Sequence, residues 1–150
     1  MAGVRRFQDL ECHQLAVAVR RQVLRLVSEG PARKDFRFSN QIRDSARGAP
    51  RNIAEGYSRF NPAEILPFLS YAKSSLDETK NHLRDGAEER YFGETDTAIA
   101  LDLIDRAIAA ISRWRQYLES PAARRFYEQH KARRASAAFV PRARTPSKER

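Results

Sequence analysis

The chain has 150 residues, of which 28 are basic and 19 acidic, giving a formal net charge of +9. This length suits one domain with a buried core, and no segment reaches the roughly 18 consecutive apolar residues that span a membrane. The single cysteine, Cys12, excludes an intrachain disulfide and a zinc site built from cysteines, and the absence of an apolar stretch near the start leads us to expect a cytoplasmic protein.

The first predicted helix runs from about Phe7 to Ser28. Apolar residues recur there every three or four positions, which places them on one buried face. Gly30 and Pro31 follow, a pair typical of the residues just beyond the end of a helix. The segment is therefore predicted as an amphipathic helix that ends before this pair.

The second predicted helix begins near Ser39, a residue type suited to cap a helix N-terminus. Its apolar stripe continues without a break across Pro50, although a proline inside a helix costs about 3 kcal/mol. We therefore predict one helix, bent at Pro50, rather than two. The stripe consists of Ile42, Ala46, Ala49, Ile53, Tyr57 and Phe60.

The third predicted helix starts after a clear N-terminal signal. Asn61 is predicted as the N-cap, Pro62 occupies the first helical position, and Glu64 completes a capping box. The helix extends to about Glu89, and we expect a bend at Pro67, where a backbone hydrogen bond is missing.

The fourth predicted helix runs from about Thr95 to Glu119 and carries two apolar faces. One face suits the core of a bundle. The other is predicted as a contact with a second subunit, because one helix of a monomeric bundle rarely needs both faces; the alternative is a single wide core stripe. The predicted contact residues are Leu103, Ala107, Ala110, Trp114 and Tyr117.

Short connections between long amphipathic helices predict an all-α fold, an antiparallel up-down-up-down four-helix bundle over residues 1–120. Residues 121–150 are predicted as a basic tail, in which a short helix to about Arg134 precedes a disordered segment. This tail carries a net charge of +7, against +2 for residues 1–120. Such a tail attracts phosphate backbones regardless of base sequence; the alternative is a solvated tail without a binding role. The predicted contacts are Arg124, Arg125, Lys131, Arg133, Arg134, Arg142 and Arg144.

Several motifs in the predicted helices occur in a fixed order. They are Phe7-x-x-Leu10, Gln41-Ile42-Arg43, Pro50-x-Asn52-Ile53-Ala54-Glu55-Gly56, Phe68-Leu69-x-x-Ala72 and Ser75-Leu76-x-Glu78-Thr79. Over about residues 7–119 this set resembles the four-helix-bundle proteins encoded in intervening sequences of bacterial 23S ribosomal RNA genes. That family is similar in turn to the accessory variability determinant of diversity-generating retroelements.

The resemblance implies a four-helix protomer that assembles as a homo-oligomer, a pentamer by analogy with the retroelement protein. It also implies a role with nucleic acid, a reverse transcriptase as a candidate partner, no enzymatic activity and no cofactor. The chain departs from the family at Gly48-Ala49, where Ser-Ile is usual, and we expect this change to thin the packing. The basic tail is not part of the family pattern.

Three arginines of the second predicted helix, Arg43, Arg47 and Arg51, are spaced four residues apart. This spacing puts them on one side of the helix, where each guanidinium can donate two hydrogen bonds to a phosphate. We predict a nucleic-acid contact at this side. The alternative is that Glu55 pairs with Arg51 and Arg59 as ordinary ion pairs of a helix surface.

The Pro50 to Gly56 motif is predicted to have a structural role. Asn52 is expected to donate a hydrogen bond to the carbonyl that Pro50 leaves free, or to one on a neighbouring helix. Glu55 and Glu78 are expected to fix contacts between the second and third helices. The residues of this structural motif are Pro50, Asn52, Glu55, Gly56 and Glu78.

The chemistry-bearing side chains do not form a convincing active site. Glu78 and His82 are four residues apart, but the Glu-x-x-His signature of di-iron bundles is missing, so no metal is predicted. An all-α ribonuclease motif, Arg followed after four to six residues by His, fits Arg125 or Arg124 with His130 and Arg6 with His13. Such matches are frequent by chance in an arginine-rich chain.

We therefore predict no catalytic residue and a non-enzymatic, oligomeric, nucleic-acid-binding accessory protein. Two alternatives stay open: a protein-interaction scaffold without a direct nucleic-acid role, and a small all-α ribonuclease.

Overall fold

The computed structural model describes residues 6–138, and within that range the chain is helical and contains no strand. This confirms the predicted all-α class. Two short 3-10 turns, Phe7–Asp9 and Pro31–Lys34, precede the first and second helices. No helix in this part of the chain is long and apolar enough to cross a membrane. The helices are α1 (Glu11–Ser28), α2 (Phe36–Tyr57), α3 (Pro62–Glu88), α4 (Glu94–Glu119) and α5 (Pro121–Ala138).

The four long helices α1 to α4 enclose one hydrophobic core. Helix α2 packs most extensively on α3, α1 packs on both α2 and α4, and α3 also packs on α4. The predicted stripes supply the buried side chains, because residues three and four apart share a helix face. Fully buried members include Val19, Val23, Ile42, Ile53, Leu69, Leu76, Ile104 and Ile111.

Helix α2 begins at Phe36, earlier than the sequence predicts. Its cap is Asp35, whose Oδ1 accepts a hydrogen bond from the Phe38 amide at 2.9 Å. That hydrogen bond, and a second one from the Tyr91 hydroxyl to Oδ2, lower the pKa of the Asp35 carboxyl. The prediction of Ser39 as the cap is wrong: Ser39 is buried, and its hydroxyl donates to the carbonyl oxygen of Ala32 at 2.7 Å.

The predicted passage of one helix across Pro50 is confirmed, because α2 is continuous from Phe36 to Tyr57. The predicted acceptor for Asn52 is wrong. A proline at position 50 leaves the carbonyl of Ala46 without its usual donor, whereas Nδ2 of Asn52 donates to the carbonyl oxygen of Gly48 at 2.9 Å. Asn52 therefore supports its own helix through a neighbouring carbonyl.

Helices α2 and α3 lie close together at Gly48. A Cβ atom at this position would lie 2.9 Å from the Cβ of Ser75, closer than side-chain carbons normally come. The departure from the family pattern at Gly48-Ala49 thus coincides with tight packing, since both residues are buried. The expectation that these small residues thin the contact is wrong.

Gly48→Ala is expected to lower the free energy of unfolding by about 1–3 kcal/mol, because the added methyl group overpacks the α2–α3 contact. The intrinsic helix preference of alanine over glycine, about 1 kcal/mol in the opposite direction, is too small to prevent this. Urea unfolding followed by circular dichroism measures the change. In a Ser75→Gly background the same substitution should become stabilising, and a loss of stability in both backgrounds would contradict the proposed contact.

The start of α3 confirms the predicted N-cap and the predicted first residue. Pro62 is its first residue, and Oδ1 of Asn61 accepts a hydrogen bond from the Ala63 amide at 3.0 Å. The other end, at Glu88, is followed by Arg90 with a positive φ of 58°. This left-handed residue lets the Tyr91 amide reach back to the carbonyl of Gly86, which closes the helix.

The second apolar face of α4 belongs to the core of the single chain. Ala107, Ala110 and Trp114 are 0%, 3% and 4% exposed, which corrects the prediction that they contact a second subunit. The physical reason is that α4 packs on both α1 and α3, so that two of its faces are covered. Leu103 and Tyr117 are only half-buried, and the prediction for these two residues stays untested.

Candidate nucleic-acid interface

Helix α2 presents Arg43, Arg47 and Arg51 on the side that faces away from its buried stripe. We call these three residues the arginine ladder. Successive members are separated by about 6 Å along the helix axis, given a rise of 1.5 Å per residue. Arg47 and Arg51 are exposed and Arg43 is half-buried. Buried Ile42 and Ile53 on the opposite side fix the orientation of the helix.

The cations of the arginine ladder are weakly neutralised. Nη1 of Arg47 lies 3.7 Å from Oδ1 of Asp44, in a pair whose side chains are more than half exposed. Exposed pairs of this kind contribute little free energy and exchange readily for another anion. Arg43 and Arg51 form no ion pair with any residue in the described part of the chain.

The structure decides the alternative for Glu55. Its carboxylate pairs with Arg59, four residues later, and not with Arg51. The predicted ion pair between Glu55 and Arg51 is therefore wrong, whereas the predicted ion pair between Glu55 and Arg59 is confirmed. Glu78 likewise interacts within its own helix, with Oε1 3.8 Å from Nε2 of His82.

The predicted role in joining α2 to α3 is wrong for Glu78, whose carboxylate reaches along its own helix. Glu55 contributes to that contact only through Arg59, just beyond the end of α2, whose guanidinium lies 5.1 Å from the centre of the Phe68 ring on α3. Hydroxyl groups occupy the buried α2–α3 contact instead. The Thr79 hydroxyl lies 3.0 Å from the Ser45 hydroxyl and 2.7 Å from the carbonyl oxygen of Ser75. Gly56 also faces α3, since a Cβ there would lie 3.0 Å from the Cβ of Phe68.

A second cationic surface lies on α5. Arg124, Arg125 and Lys131 are exposed and form no ion pair with residues 6–131, while Glu128 is the acidic residue among them. Helix α5 contacts α4 and α3, which places these cations beside the bundle. The predicted contacts Arg133 and Arg134 belong to α5 but lie beyond its described side chains, and Arg142 and Arg144 lie outside the described residues.

A groove of about 1290 Å³ separates α5 from the connection between α2 and α3. Sequence reasoning missed it, because its walls come from residues near 60 and from residues 114–131. The one local signal is Phe60, an aromatic residue of the apolar stripe that lies beyond the end of α2. The aromatic lining consists of Tyr57, Phe60, Trp114, Tyr117, Phe126 and Tyr127.

The side chains of the ribonuclease motif have local partners. Nδ1 of His130 lies 3.1 Å from the carbonyl oxygen of Phe126, and its ring packs on that of Phe126 with centroids 4.1 Å apart. Arg6 pairs with Asp9 at 3.0 Å. The His13 ring contacts Phe7 edge-on at 4.9 Å, and burial, followed by the charge of Arg20, lowers its pKa.

Nucleophilic and metal chemistry find little support in the described part of the chain. Cys12 is buried, and burial raises the pKa of its thiol to about 12, so the reactive thiolate is scarce at neutral pH. Within residues 6–138, no group of three or more His, Cys, Asp or Glu residues could hold a metal ion. The arrangement is suited to binding an anion at a surface.

Comparison with known proteins adds one match. The model of the family described as 23S rRNA-intervening sequence protein matches residues 8–113, more than two thirds of the chain. No curated protein matches.

Proposed function

The chain belongs to the 23S rRNA-intervening sequence protein family, and from this premise and its exposed cations we propose that it is a non-enzymatic accessory protein that binds nucleic acid. The observation that carries the proposal is the arginine ladder. Its members lie on one side of a helix whose opposite side is fixed in the core, so the guanidinium groups share a direction. A linear, polyanionic ligand matches such a row.

The charges of α5 extend the proposed surface. Arg124, Arg125 and Lys131 are exposed, and the sequence beyond them is more strongly basic. Because contacts with phosphates carry no base information, this surface contributes affinity rather than sequence specificity. We propose that the arginine ladder and α5 act together on one nucleic-acid strand.

The proposal includes the architecture and assembly expected of the family. Helices α1 to α4, joined by short connections, are proposed to form an antiparallel up-down-up-down bundle. We propose that such protomers assemble into a homo-oligomer, a pentamer by analogy with the retroelement protein. An oligomer would repeat the +9 charge of each protomer and raise affinity through multivalency.

Binding of the full chain to a labelled nucleic acid should weaken linearly with the logarithm of salt concentration. Each phosphate contact that releases a counterion contributes about 0.7 to the slope for single strands and about 0.9 for duplex DNA. Fluorescence anisotropy with an RNA and a DNA oligonucleotide between 50 and 500 mM potassium chloride measures this slope. We expect a slope of magnitude about 3 or more, because the three cations of the arginine ladder and the three exposed cations of α5 can each contact one phosphate.

The same titration has two outcomes that contradict the proposal. One is the absence of binding at the lowest salt concentration, and the other is an affinity that does not change with salt. Light scattering of the same preparation tests the assembly independently. A monomeric mass at all protein concentrations would contradict the proposed oligomer without affecting the proposal that the protein binds nucleic acid.

A protein-interaction scaffold is the second candidate function, and exposed apolar side chains favour it. Tyr71 and Ile99 are 58% and 48% exposed on α3 and α4. Apolar groups at the surface of a bundle are typical of contact sites for other proteins. A reverse transcriptase is the proposed partner. Its co-purification with this protein should survive nuclease treatment if the two proteins bind each other directly. If nuclease treatment abolishes the co-purification, nucleic acid bridges the two proteins and the scaffold is contradicted.

A further inference from the structure

The aromatic groove between α5 and the α2–α3 connection has no role in the proposed function so far, because that function consists of contacts between cations and phosphates. Phe60 and Phe126, on its two sides, are 67% and 38% exposed, although large apolar side chains are normally buried. Trp114, Tyr117 and Tyr127 form its floor and are buried or half-buried. The groove therefore has aromatic side chains exposed at its surface, although the Phe126 ring also packs on His130 with centroids 4.1 Å apart.

The size of the groove suits a chain-like ligand better than a small molecule. Pockets for small molecules have volumes of about 300–1,000 Å³ and bury most of their ligand, whereas this groove has about 1290 Å³. Its walls come from the start of α3, the end of α4 and α5, together with the α2–α3 connection.

The charges around the groove indicate which ligand it takes. Within it the acidic residues Glu64, Glu119 and Glu128 balance the basic residues Arg59, Arg124 and Lys131. Glu119 lies 3.9 Å from Arg115, and Arg59 pairs with Glu55, so these charges are partly satisfied. Further cations lie outside the lining of the groove, namely the arginine ladder on α2 and the exposed Arg125 on α5.

The arginine ladder leads to the groove along a single helix. Arg51 lies six residues before Tyr57, about 9 Å along the axis, and Tyr57 ends α2 and lines the groove. Six residues also turn the helix, so that Tyr57 lies about 120° around the axis from Arg51. A strand whose phosphates follow the ladder would therefore have to cross the surface of α2 to enter the groove. Cationic flanks with an aromatic centre are the usual design of single-strand binding surfaces.

We propose that this groove holds unpaired bases of a single-stranded nucleic acid, stacked on Phe60 and Phe126, while the backbone of the same strand lies on the arginine ladder. The inference rests on the proposed function and narrows its ligand from nucleic acid in general to a strand with unpaired bases. A duplex keeps its bases stacked inside the helix and cannot supply them to the groove.

The test compares three oligonucleotides of one length with the full chain: a thymidine 15-mer, the same backbone with abasic sites throughout, and a thymidine–adenine duplex. We expect the wild-type protein to bind the thymidine strand more tightly than the abasic strand by about 5- to 150-fold or more, since this range corresponds to stacking of a single base. The protein should not bind the duplex more tightly than the abasic strand by a comparable factor, because the bases of the duplex are not available for stacking.

The double variant Phe60→Ala, Phe126→Ala should lose the preference for bases and keep its affinity for the abasic strand. Phe36→Ala is the matched control, because Phe36 is 77% exposed at the start of α2, at the opposite end of that helix from the groove. It should bind every ligand as the wild type does. Circular dichroism verifies folding, and if the double variant is unfolded, the single variant Phe60→Ala takes its place.

The outcomes separate this inference from the proposed function. If the wild-type protein binds the thymidine and abasic strands in a salt-dependent way but with equal affinity, the proposed base stacking in the groove is contradicted. The proposed phosphate binding on the arginine ladder is then still supported. A base preference that persists in the folded double variant would also overturn it. Failure to bind any of the three oligonucleotides at low salt would overturn both proposals.

Discussion

Replacing Arg43, Arg47 and Arg51 together with glutamine is expected to reduce the salt slope of nucleic-acid binding by about 2, at about 0.7 for each lost phosphate contact. Because this contribution vanishes near 1 M salt, a slope difference of 2 corresponds to an affinity loss of about 10²- to 10³-fold at 50 mM. Stability should change little, since the side chains lie outside the core and only Arg47 has an ion-pair partner within residues 6–131.

A charge-matched control separates the arginine ladder from net charge. Arg21 on α1 and Arg106 and Arg113 on α4 are also exposed, and the latter two pair with Asp102 and Glu11. Their joint replacement by glutamine removes the same charge of three, but the salt slope should fall by less than 1 if their sites do not touch the ligand. Equal losses in the two triple variants would mean that binding follows net charge and not the row on α2.

The helices themselves could be predicted from apolar periodicity. Most apolar residues of the stripes of α1 to α4 are buried, because residues three and four apart share a face whatever the neighbouring helix is. Phe60 of the α2 stripe is an exception, since it lies beyond the end of the helix and is 67% exposed. The start of α2 was predicted too late in the sequence, because Ser39 is of a residue type that suits a cap as well as Asp35 does. The structure uses Asp35 for the cap and Ser39 to fix the preceding turn, a division of roles that depends on the position of Ala32.

The limits of the sequence appear where two elements meet. Apolar spacing shows that α4 has a second face but not what covers it, and burial of Ala107 and Trp114 assigns that face to the chain itself. The small side chain at Gly48 indicates either loose packing or close approach, and only the position of Ser75 decides between them.

In the candidate site, too, features within one helix could be predicted and features formed by several elements could not. The arginine ladder could be predicted because it belongs to one helix, where spacing alone determines direction. The partner of Glu55 could not, since Arg51 and Arg59 are both four residues away and only the side-chain geometry selects Arg59. The groove could not be predicted either, because Phe60 and Phe126 are far apart in the sequence and line one groove only because α5 packs on α4 and α3.

Ile53→Ala is expected to lower the free energy of unfolding by about 2–5 kcal/mol, the usual cost of a cavity in a well-packed core. Ile53 is fully buried within the motif from Pro50 to Gly56, and α2 has its largest contact with α3. Urea unfolding monitored by circular dichroism measures the loss. If the variant does not fold, Ile53→Val, with an expected cost of about 0.5–1.5 kcal/mol, gives the same test in a milder form.

Glu55→Gln is the matched comparison two residues away, and it decides what the motif is for. Its side chain is exposed and pairs with the exposed Arg59, so the change in stability should be about 0.5 kcal/mol or less. Because Ile53 and Gly56 face the core and α3 while Glu55 faces solvent, the motif can act through packing without touching a ligand. Nucleic-acid affinity should then be unchanged in folded Ile53→Val and in Glu55→Gln. A loss of affinity in Glu55→Gln without a loss of stability would instead make the motif part of the binding surface.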